Sequence, residues 1–124
     1  MNRALRLGSM WLPVVIWCSV IFYLSSVPFL QTDLGIWDLI LRKAAHMFEF
    51  GMLFLLARRA VSGSGLGWSA NELIFAAALF SFFYAVSDEG HQAFVAGRSA
   101  STIDVCVDAA GIALAFGSVK LFRK

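Results

Sequence analysis

The amino-acid sequence predicts an all-α integral membrane protein, with one domain over residues 1–124 folded as a bundle of four antiparallel helices. Of the 124 residues, 60% are hydrophobic and 15% are charged, whereas roughly 25% of residues are charged in soluble domains. Four apolar stretches approach the length of about 20 residues that a helix needs to cross a bilayer. The charged residues collect at the ends of these stretches. A charged side chain at membrane depth costs about 2.5–3.5 kcal/mol, so the residues in this position are expected to be paired or functional.

We predict membrane spans at about residues 9–30, 38–59, 70–88 and 102–120. The first span is uncharged, and we expect Pro13 in its first turns, where a missing N–H is tolerated. The second span is the weakest, because its first half is crowded with charged residues. The third opens with Ser69-Ala-Asn-Glu72, which has the form of a capping box. The short loops between spans favour a compact bundle.

The distribution of basic residues predicts the orientation, because Lys and Arg are enriched in the cytoplasmic loops of membrane proteins. Seven of the ten fall on one side of the bundle: Arg3, Arg6, Arg58, Arg59, Lys120, Arg123 and Lys124. The other side receives Arg42, Lys43 and Arg98, together with seven of the eight acidic residues. We therefore predict that both termini are cytoplasmic and that the polar cluster faces the outer side.

The same sequence argues against several other classes of protein. Cys18 and Cys106 lie in apolar stretches, and their spacing matches no zinc or redox motif. We therefore expect both to serve as small apolar side chains in the packing of the helices. No basic run accompanies the aromatic residues, so no nucleic-acid partner is expected. The first apolar run is too long for a signal-peptide core and is expected to remain uncleaved.

The polar residues of the second span share one helical face. Arg42, His46 and Glu49 are spaced i, i+4 and i+7, and Lys43 lies one position round the helix. A glutamate at this depth is expected to be paired or protonated.

The third and fourth spans carry polar residues at the same end of the bundle. The third ends in Asp88-Glu89-Gly-His91-Gln92, with Glu89 and Gln92 at i, i+3 if the helix continues, and His91 expected in an exposed loop. The fourth begins with Asp104 and Asp108 at i, i+4. Small residues follow on the same face and would allow a close helix contact: Gly111, Ala115 and Ser118. We expect these polar groups to share one outer cavity, with the first span as a scaffold.

Two of these segments resemble the signatures of the VanZ-like family of membrane proteins. The first is Lys43-Ala-Ala-His46-Met-Phe-Glu49-Phe50. The second is Asp88-Glu89-Gly-His-Gln92-Ala-Phe94-Val-Ala-Gly97-Arg98, followed by Asp104 and Gly111. The resemblance covers about residues 10–120. The family's proline before Gly-Arg is Ala96 here, and its usual asparagine four residues after the aspartate is Asp108, which adds a negative charge.

The resemblance implies a multi-pass protein of the bacterial inner membrane. The founding member of the family is associated with resistance to teicoplanin, a glycopeptide that acts on lipid-linked cell-wall precursors at the outer membrane face. Besides membrane lipids in general, the expected partner is therefore an anionic lipid head group or a lipid-linked envelope precursor. The ligand-binding candidates are Arg42, Lys43, Gln92, Arg98, Asp104 and Asp108.

Three alternatives remain open from the sequence. One is an intramembrane hydrolase or transferase acting on a lipid-linked phosphate, with His46 as acid, base or nucleophile and Glu49 orienting it. Its catalytic candidates are His46, Glu49, Asp88 and Glu89. The second is a small proton-coupled transporter. The third is a structural network, in which the basic residues only form salt bridges or extend to lipid head groups.

No metal or cofactor is expected, because zinc-ligand spacings are absent and only one histidine is well placed. Mg²⁺ or Ca²⁺ held by the carboxylates is the alternative. The sequence gives no indication of the oligomeric state.

Overall fold

The computed structural model describes residues 2–26, 35–95 and 102–122, and all regular structure within these ranges is helical. The helices are α1 (Arg3–Ser26), α2 (Ile36–Ser62), α3 (Ala70–Gln92) and α4 (Thr102–Phe122). The prediction of an all-α fold with four helices is confirmed. The helix bounds differ from the predicted spans mainly at the beginning of α1 and at the end of α3.

Three of the helices, α1, α3 and α4, are long and apolar enough to cross a membrane. Their outward surfaces expose large apolar side chains, such as Ile16, Phe83 and Leu114. Apolar surface on this scale is unfavourable in water but suits contact with hydrocarbon. Helix α2 is long enough to cross a membrane but is less apolar than the other three, because charged residues interrupt its first half. Its 27 residues nevertheless span about 40 Å at 1.5 Å per residue.

Helix α2 packs against each of the other three helices, most extensively against α4. Its second half supplies much of the apolar core, with Phe50, Leu53, Phe54 and Ala57 all buried. This position explains how the least apolar helix is accommodated, because its polar side chains face neighbouring helices. A charged residue within a membrane is tolerated when it faces the interior of a bundle.

Helices α2 and α4 approach each other closely at two glycines. A Cβ atom added to Gly111 would lie 2.8 Å from the Cα of Met47, and one added to Gly51 would lie 3.2 Å from the carbonyl oxygen of Gly111. Only glycine lets the two backbones come this near. The predicted close contact on this face of α4 is confirmed at Gly111, whereas Ser118 is exposed.

Helix α1 begins at Arg3, so the prediction that Pro13 lies in its first turns is wrong. Asn2 explains the earlier beginning, because its Oδ1 accepts a hydrogen bond of 2.9 Å from the backbone N–H of Leu5. Pro13 is therefore inside the helix and leaves the carbonyl of Ser9 without its usual partner. A guanidinium nitrogen of Arg59 lies 3.5 Å from that carbonyl oxygen and donates to it.

Helix α3 begins where the sequence predicts. Ser69 precedes the helix in an extended conformation, and its hydroxyl accepts a hydrogen bond of 3.2 Å from the backbone N–H of Glu72. The helix then continues past Asp88 to Gln92. Its last turn therefore carries Glu89 and Gln92 into the bundle, and both side chains are buried.

Candidate functional site

A cavity of about 210 Å³ lies between α1, α2 and α3. It is formed by the C-terminal parts of α1 and α3 and the N-terminal half of α2. Its lining residues are Ile21, Leu24, Ser25, Arg42, Ala45, His46, Glu49, Asp88 and Gln92. A cavity of this volume has room for several water molecules.

The polar face of α2 lines this cavity. Arg42, His46 and Glu49 all lie in its wall, which is the placement that their i, i+4, i+7 spacing favours. Asp88 and Gln92, one turn apart on α3, complete the polar lining and are 5% and 3% exposed. The structure therefore brings together five of the residues singled out in the sequence.

His46 is held by a carboxylate from α4. Its Nδ1 lies 2.9 Å from Oδ1 of Asp108, whose residue is 0% exposed. An ionised carboxylate only accepts hydrogen bonds, so this contact places a proton on Nδ1. The other carboxylate oxygen, Oδ2, is buried and has no hydrogen-bond partner among the described residues. Asp108 does not line the cavity and acts on it through His46, as a positioning residue. Asp108 accepts the hydrogen bond that orients the imidazole, and the orienting role that the sequence suggests for Glu49 stays a prediction.

Lys43 and Asp104 form a second link between α2 and α4, an ion pair between the ammonium and a carboxylate oxygen. Position 43 is turned about 100° round the helix from Arg42, so Lys43 faces α4 rather than the cavity. Neither partner lines the cavity. The expected ligand-binding residues Lys43, Asp104 and Asp108 thus lie at the contact between α2 and α4.

Arg42 lines the cavity and also contacts a carboxylate of its own helix. Its Nε donates to Oδ2 of Asp38, one turn earlier, over 3.0 Å. A guanidinium carries five N–H donors, and this contact uses the one on Nε. The Arg42 side chain is 38% exposed, so it is accessible to a ligand that enters the cavity.

Two further predicted site residues, Glu89 and Arg98, remain to be placed. Glu89 is buried at the end of α3 but is not one of the residues that line the cavity. Arg98 lies outside the described residues, as do Ala96 and Gly97.

The contribution of α1 and the position of His91 are not predicted by the sequence. Ser25 is 3% exposed and lines the cavity, so α1 is more than a scaffold. The hydroxyl of Ser26 donates to the carbonyl of Phe22 and accepts from Nε2 of His91 over 2.8 Å. The His91 ring also stacks on Phe22, with centroids 4.4 Å apart. The prediction of an exposed loop for His91 is wrong because α3 extends to Gln92.

Within the described ranges, no three His, Cys, Asp or Glu side chains form a group that could hold a metal ion. Two of the acidic residues are paired with basic side chains, Asp104 with Lys43 and Asp108 with His46. That the site works without a metal stays a prediction.

The fold and the cavity define a small helical membrane protein with a polar site enclosed by its helices. The sequence profile of the VanZ/LLP1 family matches residues 10–123, and the chain belongs to this family. The match confirms the resemblance found in the two sequence segments. No curated protein and no solved structure matches the chain significantly.

Proposed function

We propose that this protein binds the polar head group of an anionic lipid, or of a lipid-linked envelope precursor, at the outer side of a bacterial inner membrane. The observation that carries the proposal is the cavity of about 210 Å³ with charged groups in its wall. Protein interiors are close-packed, and charged side chains that line a cavity within a membrane are normally paired or functional. The volume suits a head group, with the hydrocarbon part of the lipid remaining outside.

The lining chemistry supports a head group that carries both a phosphate and hydrogen-bond donors. Arg42 offers guanidinium N–H groups, which pair well with phosphate oxygens. Glu49 and Asp88 line the same space, and carboxylates accept from hydroxyl or amino groups. Phosphate combined with hydroxyl or amino groups is common to glycerol-based lipids and to sugar-bearing envelope precursors.

The test compares lipid-dependent stabilisation of purified protein in detergent. Phosphatidylglycerol is expected to raise the melting temperature more than phosphatidylcholine does. The Arg42→Gln variant should weaken phosphatidylglycerol binding about tenfold, the effect of losing a charge-assisted hydrogen bond.

Arg59→Gln is the matched control, because Arg59 is on the same helix but far from the cavity and contacts the carbonyl of Ser9. It should bind phosphatidylglycerol as the parent protein does. Equal losses in the two variants would indicate general attraction of anionic lipid to basic residues and would refute the proposal. Equal stabilisation by the two lipids would refute it as well.

A second function, hydrolysis or group transfer on a lipid-linked phosphate, is favoured by the contact between His46 and Asp108. A buried aspartate on Nδ1 fixes the tautomer of a histidine, so that Nε2 can take a proton from an attacking hydroxyl. His46 lines the cavity.

Catalysis and binding differ in what His46→Gln does. If the protein is an enzyme, a deletion strain should accumulate a lipid that returns to normal with the parent gene but not with His46→Gln. The purified variant should still be stabilised by phosphatidylglycerol. Unchanged lipid composition in the deletion strain would rule against the enzyme.

A further inference from the structure

Ser25, near the end of α1, carries a buried hydroxyl that has no hydrogen-bond partner within the described part of the chain. The residue is 3% exposed and lines the cavity between α1, α2 and α3. Such a hydroxyl is uncommon, because buried polar groups in proteins normally have a partner. Ser25 is therefore an exception that calls for a physical explanation.

Other serines in these helices satisfy their hydroxyls within the helix itself. A serine hydroxyl can donate to a backbone carbonyl one turn earlier. Ser19, Ser26 and Ser81 each donate to the carbonyl four residues earlier, over 2.8, 2.7 and 2.9 Å. Ser81 does so although it is 0% exposed. Burial alone therefore does not explain why the Ser25 hydroxyl makes no such contact with the carbonyl of Ile21.

A ligand in the cavity can supply the missing partner. Ser25 is the polar residue of the α1 wall, because the other α1 residues that line the cavity, Ile21 and Leu24, are apolar. A hydroxyl both donates and accepts hydrogen bonds. It turns about a single Cα–Cβ bond between staggered positions. A bound molecule can therefore redirect the hydroxyl without any movement of the helix.

The other walls of the cavity indicate which ligand atom the hydroxyl would meet. Glu49 and Asp88 line the same space, and ionised carboxylates only accept hydrogen bonds, so they suit hydroxyl or amino groups of a head group. Phosphate oxygens are acceptors and need donors. Arg42 offers donors from α2, and Ser25 offers one from α1. Because a hydroxyl is uncharged, it adds a donor for phosphate without the cost of another charge within the membrane.

We propose that the Ser25 hydroxyl donates a hydrogen bond to a phosphate oxygen of the head group and thereby helps to select lipids that carry a phosphate. This inference rests on the proposed function and assigns one further contact of the same site. The contact forms only when the ligand is bound. Ser25 therefore contributes to the affinity for the ligand and not to the stability of the ligand-free protein.

The test compares Ser25→Ala with the parent protein, both purified in detergent and freed of bound lipid. Without lipid, the melting temperature of Ser25→Ala should equal or slightly exceed that of the parent, because the variant loses an unsatisfied buried group. Its affinity for dioleoylphosphatidylglycerol should fall about tenfold, the size expected for one hydrogen bond to a charged group. Dioleoylglycerol, which has the same chains but no phosphate, should bind the variant and the parent equally.

Ser26→Ala is the matched control at the neighbouring position. The Ser26 hydroxyl donates to the carbonyl of Phe22 and accepts from Nε2 of His91, so both contacts lie inside the protein. Ser26→Ala should therefore show the opposite pattern. Its melting temperature without lipid should be lower than that of the parent, and its affinity for dioleoylphosphatidylglycerol should be unchanged.

The outcomes separate this inference from the proposed function. If Arg42→Gln weakens binding of dioleoylphosphatidylglycerol and Ser25→Ala does not, the hydroxyl meets only water in the cavity. The inference is then overturned, while head-group binding stands. Equal losses for the two lipids in Ser25→Ala, or a lower melting temperature of this variant without lipid, would also overturn it. If binding does not depend on Arg42, the proposed function and this inference fail together.

Discussion

At the scale of single residues, the contact between His46 and Asp108 joins a buried carboxylate to a ring in the cavity wall. Asp108 is 0% exposed, and its Oδ1 lies 2.9 Å from Nδ1 of the imidazole. A buried carboxylate without this contact would be very costly. The pair therefore serves the bundle as well as the site, because it ties α4 to α2 while it fixes the histidine ring.

Replacing Asp108 tests this double role. Asp108→Ala should destabilise the protein by about 3–5 kcal/mol, the usual effect of removing one partner of a buried pair. Asp108→Asn should cost less, because the amide oxygen still accepts a hydrogen bond from Nδ1. Thermal unfolding in detergent measures both effects.

Ser118→Ala is the control on the same helix, since Ser118 is exposed and its hydroxyl donates to the carbonyl of Leu114 one turn earlier. It should change stability by no more than about 0.5 kcal/mol. If Asp108→Ala were as mild as this control, the pair would have no structural role.

At the scale of elements, the packing of α2 on α4 places part of the polar face of α2 against a neighbouring helix. The two helices are linked by Lys43 with Asp104 and by His46 with Asp108. Gly111 follows Asp108 by about one turn of α4 and allows the backbones of the two helices to come into contact. The close contact and the polar pairs support each other, because short side chains such as aspartate reach across only where the helices are near.

Gly111→Ala should disturb this contact. Its new Cβ would overlap the backbone of Met47, and backbone cannot move aside as a flexible side chain can. We expect a loss of about 1–3 kcal/mol, typical of an overpacked site.

Gly117→Ala is the matched control in the same helix, because nothing lies within 4 Å of its added Cβ. Alanine favours a helix over glycine by about 0.5–1 kcal/mol, so this variant should be as stable as the parent or more so. A lower melting temperature for Gly117→Ala than for Gly111→Ala would contradict the observed helix contact.

The start of α3 offers a second test at this scale. Ser69→Ala removes the hydroxyl that accepts from the backbone N–H of Glu72 and should cost about 0.5–2 kcal/mol. Ser69→Asp supplies another oxygen acceptor and should retain the stability of the parent. Equal melting temperatures for the alanine and aspartate variants would show that the cap contributes nothing.

At the scale of the whole molecule, the bundle presents apolar surface outward and encloses its polar site near one end. The cavity is built where α1 and α3 end and α2 begins. Basic residues such as Arg6, Arg58 and Lys120 lie towards the opposite end. The positive-inside rule therefore predicts that the cavity opens towards the outer side.

Cysteine accessibility tests this orientation. In a background without Cys18 and Cys106, Gly97→Cys should react with a membrane-impermeant maleimide in intact cells. Leu66→Cys, in the loop between α2 and α3, should react only after the cells are lysed. The reverse pattern would place the termini and the cavity on the opposite sides from those predicted.

The sequence by itself determined the helical class, the number of helices and the family. Long apolar stretches leave few alternatives to helices in a membrane, because every backbone polar group must find a partner within the protein. The spacing of Arg42, His46 and Glu49 was enough to place them on one face, since it depends on helix geometry alone. Ser69 marked the start of α3 for a similarly local reason.

The tertiary structure alone decided which polar residues meet. Lys43 and Asp108 are charged like the residues that line the cavity. The rotation of α2 against α4 nevertheless turns both side chains to the helix contact and away from the cavity. The positions of Ser25 and His91 could not be predicted from the sequence pattern, because they depend on how α1 packs against α3. Pairing between helices depends on their relative rotation and depth, and those are set by packing across the whole bundle rather than by spacing along any one helix.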